Sequence, residues 1–159
     1  MATEIKILLV EDSDADAGLI TRELGKADFA HTMKWVKTKD EFLEALGEYA
    51  PDIILCDYKM PGFGAPEALE IIKKSSRETP FFVISGIIGE DVAVEMMKSG
   101  VADYIIKDRL ARLVPAVKHA LEDAREHAGR KLAEEELRVS AARYRAILQT
   151  TLDGFWLVD

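Results

Sequence analysis

The sequence holds a single cysteine, Cys56, in 159 residues, so no disulfide can form within the chain. No apolar run approaches the about 20 residues needed to cross a bilayer. Met1–Val10 lacks the basic start and long apolar core of a signal peptide. A basic excess is missing as well: 29 acidic side chains stand against 21 basic ones, net −8. The imbalance is uneven, with 14 basic and 21 acidic side chains over residues 1–117 and 7 and 8 over residues 118–159. An acidic front of that kind argues against direct binding of nucleic acid or of an anionic membrane. No Walker-type glycine loop is present, since Gly62-Phe63-Gly64 makes only a turn. A reduced, cytoplasmic protein is the expectation.

What is present is enough for a folded domain, or a domain with an appendage: 48% hydrophobic and 31% charged residues. Five short apolar runs recur, Ile5–Val10, His31–Val36, Asp52–Cys56, Phe81–Ile84 and Tyr104–Ile106. The first and fourth are nearly continuous, as suits strands covered on both faces; His31–Val36 alternates more. Helical patterns separate them. Ala15–Leu24 precedes Gly25, Thr38-Lys39-Asp40-Glu41 has capping-box spacing, Pro66–Lys74 opens on a proline, and Asp91–Ser99 ends at Gly100. Strand–helix alternation over about 125 residues predicts a doubly wound α/β fold around a parallel sheet.

Ligands of such sheets bind beyond the carboxyl ends of the strands. There the chain carries Glu11 and Asp12, Asp57, Ser85 and Lys107. Each alone has a plain reading, as a helix cap, a turn residue or a loop residue. Together they form a chemical set. Three close carboxylates repel and raise one another's pKa unless a cation joins them, and a hard oxygen-loving ion such as Mg²⁺ answers that need. With an added hydroxyl and ammonium, the rim has what a phosphoryl group in transfer requires, including a carboxylate to accept the phosphorus.

These residues resemble the receiver domain of bacterial two-component response regulators. The likeness is carried by Leu8-Leu9-Val10-Glu11-Asp12-Ser13, Ile53–Gly62, Val83-Ile84-Ser85-Gly86 and Gly100–Lys107. It implies a flavodoxin-like five-stranded sheet of order 2-1-3-4-5 over residues 1–125. It also implies Asp57 as phosphoacceptor, with Mg²⁺ held by Asp12, Asp57 and the backbone carbonyl of Lys59, and Glu11 contributing through water. Ser85 and Lys107 would bind the phosphoryl oxygens, and Tyr104 matches the family's switch aromatic, which turns inward when Ser85 moves. Lys59 and Ile87 stand where hydrolysis is tuned; neither can position an attacking water by accepting its proton. One departure is Asp108, which follows Lys107 where the family commonly has proline. It removes the residue that makes a cis bond cheap there and adds a carboxylate beside the ammonium.

Beyond Arg109 the chain is rich in Ala, Glu, Leu, Arg and Lys. Leu121, Ala124, Ala128, Leu132, Val139 and Ala142 trace a heptad-like stripe, interrupted at Gly129. An extended C-terminal helix is expected, with residues 126–142 as a linker. Two readings fit it, a solvated connector or a homodimer contact. Residues 143–159 resemble the opening of a PAS sensory domain, with the chain stopping just after that domain's first strand begins. The fragment is then no conventional enzyme. It takes a phosphoryl group from a histidine kinase or phosphotransfer protein and passes the change to a PAS-containing output, which in a longer protein could be a hybrid sensor kinase. Two other classes compete. One is a receiver-like scaffold that never uses phosphate. The other is an aspartate-nucleophile phosphatase, which needs an acid two residues after the nucleophile, where Lys59 stands.

Overall fold

The computed structural model describes residues 4–75, 78–86 and 89–156, the stretch 143–156 by its backbone alone. The strands are β1 (Ile5–Val10), β2 (His31–Val36), β3 (Ile53–Asp57), β4 (Phe81–Ser85) and β5 (Asp103–Ile106). The helices are α1 (Asp14–Leu24), α2 (Lys39–Glu48), α3 (Ala65–Lys74), α4 (Glu90–Lys98) and α5 (Leu113–Trp156). All strand pairs are parallel, in the order β2-β1-β3-β4-β5.

Period-two side-chain alternation explains the continuous apolar runs. Leu8, Val10, Ile54, Cys56, Phe81, Val83 and Tyr104 face one cluster, covered by α2, α3 and α4. Their neighbours Ile7, Leu9, Ile53, Leu55, Phe82, Ile84 and Ile105 face the other, against α1 and the start of α5. Because both faces are covered, the central strands need no polar alternation. β2 lies at an edge and is only partly buried, which accounts for its mixed pattern.

Local signals fix the helix starts. The Ser13 hydroxyl accepts from the Asp16 N–H, and the Thr38 hydroxyl accepts from the Glu41 N–H. The Glu41 carboxylate also accepts a 3.3 Å bond from the Thr38 hydroxyl, so the expected box closes through the side chain rather than through the Thr38 amide. β4 runs one residue further than expected, to Ser85, β5 starts one residue earlier, at Asp103, and both boundaries of β3 shift. Asp52 is outside β3, where its carboxylate accepts from the Lys6 N–H at 2.8 Å. Asp57 is inside, because the ladder to β4 runs on through the Tyr58 N–H, which donates to the Ile84 carbonyl at 3.1 Å.

The chain divides into two compact units, Met1–Ala124 and Arg125–Asp159. In the first, a 3-10 segment (Lys107–Arg112) precedes α5 where a regular helix is expected from Arg109, and Leu113 and Val117 are buried. In the second, residues 125–142 are exposed throughout, Leu132 and Val139 included. The backbone is helical through Trp156, where the PAS likeness places the beginning of a strand; residues 157–159 lie outside the described residues. No helix among the described residues is long and apolar enough to cross a membrane.

The loop from Asp57 to α3 depends on close backbone approach. The Ala65 N–H donates to the Tyr58 carbonyl at 3.2 Å, and a Cβ on Gly64 would lie 2.5 Å from that same oxygen. Neither partner is a flexible side chain, so the loop must shift to admit one. Gly18, inside α1, has nothing within 4 Å of its Cβ direction. Gly64→Ala should therefore destabilise the protein by about 1–3 kcal/mol, whereas Gly18→Ala should stabilise it by about 0.5–1 kcal/mol. Urea unfolding of both variants checks this; equal effects would contradict the loop account.

Candidate functional site

The carboxyl ends of β1, β3, β4 and β5 bring Glu11, Asp12, Asp57, Ser85 and Lys107 to one rim. Ser85 pairs with Ile106 and Asp57 with Ile84, so Asp57, Ser85 and Lys107 leave adjacent strands at one level. Glu11 is fully buried, Asp57 is 8% exposed, and Asp12 is exposed. One carboxylate oxygen from each lies within 4.8 Å of the other two.

Lys107 is the counter-charge. Its ammonium donates to Asp16 Oδ2 at 2.7 Å and stands 3.1 Å from Glu11 Oε2 and 3.5 Å from Asp57 Oδ1. The contact with Glu11 lacks hydrogen-bond geometry and leaves that buried oxygen without a hydrogen-bond partner. The other oxygen, Oε1, accepts from the Ser13 N–H at 3.1 Å. Burial pushes the Glu11 carboxyl up to about 7, with Asp57 adding to the rise and Ser13 and Lys107 opposing it. Burial also raises Asp57, against the pull of Lys107 and with the help of Asp12. For Lys107, burial works downward, but Asp16, Glu11 and Asp57 outweigh it and hold the ammonium charged, above its ordinary range. The neighbouring Cys56 thiol is buried and pushed well up, which excludes it as a thiolate nucleophile.

The remaining expected residues fall as follows. Tyr104 is buried in the inward position, 7% exposed. Burial raises its hydroxyl, and Ser85 is near enough to oppose the rise, although no well-formed hydrogen bond ends on that oxygen. Lys59 is exposed on the loop after β3. Ile87 lies outside the described residues. The bond from Lys107 to Asp108 is trans. The carboxylate that engages Lys107 from outside the expected set is Asp16 rather than Asp108, because Asp16 sits in the first turn of α1 and faces the rim.

Asp16 was thus missed by sequence reasoning, because an acid in the first turn of a helix is common for dipole reasons alone. Trp35 was missed too; its indole N–H donates to the Glu11 carbonyl at 2.7 Å. No local pattern signals that bond, which depends on β2 lying beside β1.

The arrangement can hold a divalent cation. Three hard oxygen donors converge, one is open to solvent for retained waters, and Glu11 offers a buried oxygen that has an ion pair with Lys107 but no hydrogen bond. It also offers Asp57 as a carboxylate nucleophile beside an ammonium and a hydroxyl.

A family model described as "Response regulator receiver domain" matches residues 7–118. The response regulator GacA of Pseudomonas syringae pv. syringae is 30% identical over 115 residues, which are 72% of this chain and 54% of that protein. The chain thus spans about half the length of that curated relative. Among solved structures, a signal receiver domain from Vibrio parahaemolyticus assigned to a LuxO repressor superposes with a TM-score of 0.72 at 23% identity, covering 79% of this chain and 96% of that one. The phosphorylated cyanobacterial phytochrome response regulator RcpA is 31% identical with a TM-score of 0.60, covering 73% of this chain and 92% of that one.

The raised Glu11 carboxyl has a consequence for stability without metal. Its value is about 7 in the fold and 4.5 when free, so the folded state binds the proton more tightly. Its contribution to stability is complete below about pH 4.5 and is lost as pH rises through 7. In chelator, the melting temperature of wild type relative to Glu11→Gln should fall between pH 5 and pH 8. A constant or rising difference would contradict a raised Glu11.

Proposed function

The chain belongs to the response regulator receiver family, and from that premise we propose that Asp57 is its phosphoacceptor, charged by a histidine kinase or phosphotransfer protein. The observation that carries the reading is the ammonium of Lys107 held among Glu11, Asp16 and Asp57 beside a hydroxyl, Ser85, at the strand ends. Receiver domains interact with such kinases and bind Mg²⁺ at an acidic pocket.

In this reading an Asp57 carboxylate oxygen attacks the phosphorus of a phosphohistidine. A P–O bond forms, the P–N bond breaks, and the imidazole leaves with the electron pair and takes up a proton. Lys107 and Ser85 bind the phosphoryl oxygens by a charge-assisted and a neutral hydrogen bond. Glu11, Asp12, Asp57 and the Lys59 carbonyl would hold Mg²⁺, which when bound neutralises charge gathering on the phosphoryl oxygens. Movement of Ser85 toward the phosphoryl group would secure the inward place of Tyr104. Lys59, exposed on the rim, together with Ile87 would leave hydrolysis slow, as neither accepts a proton from water.

The output lies toward the C-terminus. We assign residues 1–125 to the receiver, 126–142 to a helical linker and 143–159 to the start of a PAS region, in a protein that works in the cytoplasm as a regulator or as part of a hybrid sensor kinase. The exposed apolar side chains Leu132 and Val139 on the linker favour a homodimer through that helix over a solvated connector. A phosphate-independent scaffold would have no use for a charged Lys107 held against buried acids, a costly arrangement to keep.

Acetyl phosphate with Mg²⁺ should add one phosphoryl group to wild type by intact mass, and Asp57→Asn should lose essentially all of that gain. Equal labelling of the variant would place the acceptor elsewhere.

A further inference from the structure

The β1–α1 turn carries both Glu11 and Asp12, and the strand beside it grips the turn by its backbone. The Glu11 N–H donates to the Val36 carbonyl at 3.1 Å, and the Glu11 carbonyl accepts from the Trp35 indole at 2.7 Å. The second bond matters more for the acids. The Glu11 carbonyl and the Asp12 amide belong to one rigid peptide plane, so fixing that oxygen fixes where Asp12 departs from the strand. The indole is itself held. Lys37 lies 4.5 Å above the centre of its ring and pairs with Asp14 Oδ1 at 2.8 Å, at the first residue of α1. β2 and the residue that follows it thus clasp both sides of the acid turn, through Trp35 before Asp12 and through Lys37 after it.

A tryptophan 37% exposed on an edge strand contributes less by burial than a core aromatic does. Its distinctive contribution here is a donor that reaches across the strand end. We propose that Trp35 is a positioning residue that orients the Glu11–Asp12 peptide and thereby presets Asp12 to bind the divalent cation. This rests on the reading of Glu11, Asp12 and Asp57 as metal ligands. Trp35 does not touch the cation; it acts through the backbone of the residues that do. Its emission should also report binding, since the indole donates to the peptide that leads into Asp12 and a divalent charge there changes the field at the ring.

Calorimetric titration of the full chain with Mg²⁺ tests the proposal. Trp35→Phe keeps an aromatic ring and removes the N–H, and it should weaken Mg²⁺ binding about 2- to 12-fold, the range one hydrogen bond commands. In a Trp156→Phe background, Mg²⁺ should change the emission of the remaining Trp35, a measurement that stands even where Trp35→Phe folds poorly. Unchanged affinity in Trp35→Phe, or unchanged emission across the titration, overturns the proposal while Asp12→Ala still loses the metal. If Asp12→Ala binds Mg²⁺ as tightly as wild type, the metal-ligand reading itself fails and takes the proposal with it.

Discussion

One ammonium balances the rim. Lys107 meets Asp16, Glu11 and Asp57 within 2.7–3.5 Å, while the three acids proposed to bind metal crowd within 4.8 Å of one another. At an effective dielectric near 20, two unit charges about 4 Å apart interact by about 4 kcal/mol, so attraction at the shorter distances offsets part of the repulsion among the acids. The balance is incomplete for Glu11, whose burial carries its carboxyl to about 7. With one ammonium against four carboxylates the site keeps a negative excess, which suits it to receive a further cation and then a phosphoryl group.

The sheet makes this balance possible. Parallel strands covered on both faces end together, so side chains from four strands meet at one level without any long loop. Packing of Leu8, Val10, Ile54, Cys56 and Val83 beneath the rim fixes the strand ends. The same packing keeps Cys56 inert and places Tyr104 under the surface next to Ser85. Two different contacts hold the acid turn in turn: Ser13 caps α1 and donates its N–H to Glu11, and the edge strand β2 supports the backbone from the other side.

Much of this was legible in the residues. The apolar runs locate all five strands, most clearly the central ones, which need continuous hydrophobicity, and Ser, Thr and Pro mark the helix starts. Strand-end positions then single out Glu11, Asp12, Asp57, Ser85 and Lys107, which the fold brings together. Asp16 was hidden because an acid in a first helical turn is common for dipole reasons alone, and only the fold shows that it faces Lys107. Asp108 misled for the converse reason, since adjacency along the chain is no guide to contact across a bend. Trp35 could not be read at all without the Leu9–Trp35 register.

The central claim is that Lys107 carries the charge balance on which the acidic rim depends. Thermal unfolding of Lys107→Met in chelator at pH 8, with wild type alongside, tests it most directly, because removing the ammonium strands the buried Glu11 and Asp57 carboxylates, at a cost below the about 3–5 kcal/mol of a fully buried pair. The variant should melt below wild type, and saturating Mg²⁺ should raise its melting temperature more than that of wild type as the cation takes over the missing charge. A variant that melts with wild type in chelator, or that gains no more than wild type from Mg²⁺, would contradict the account.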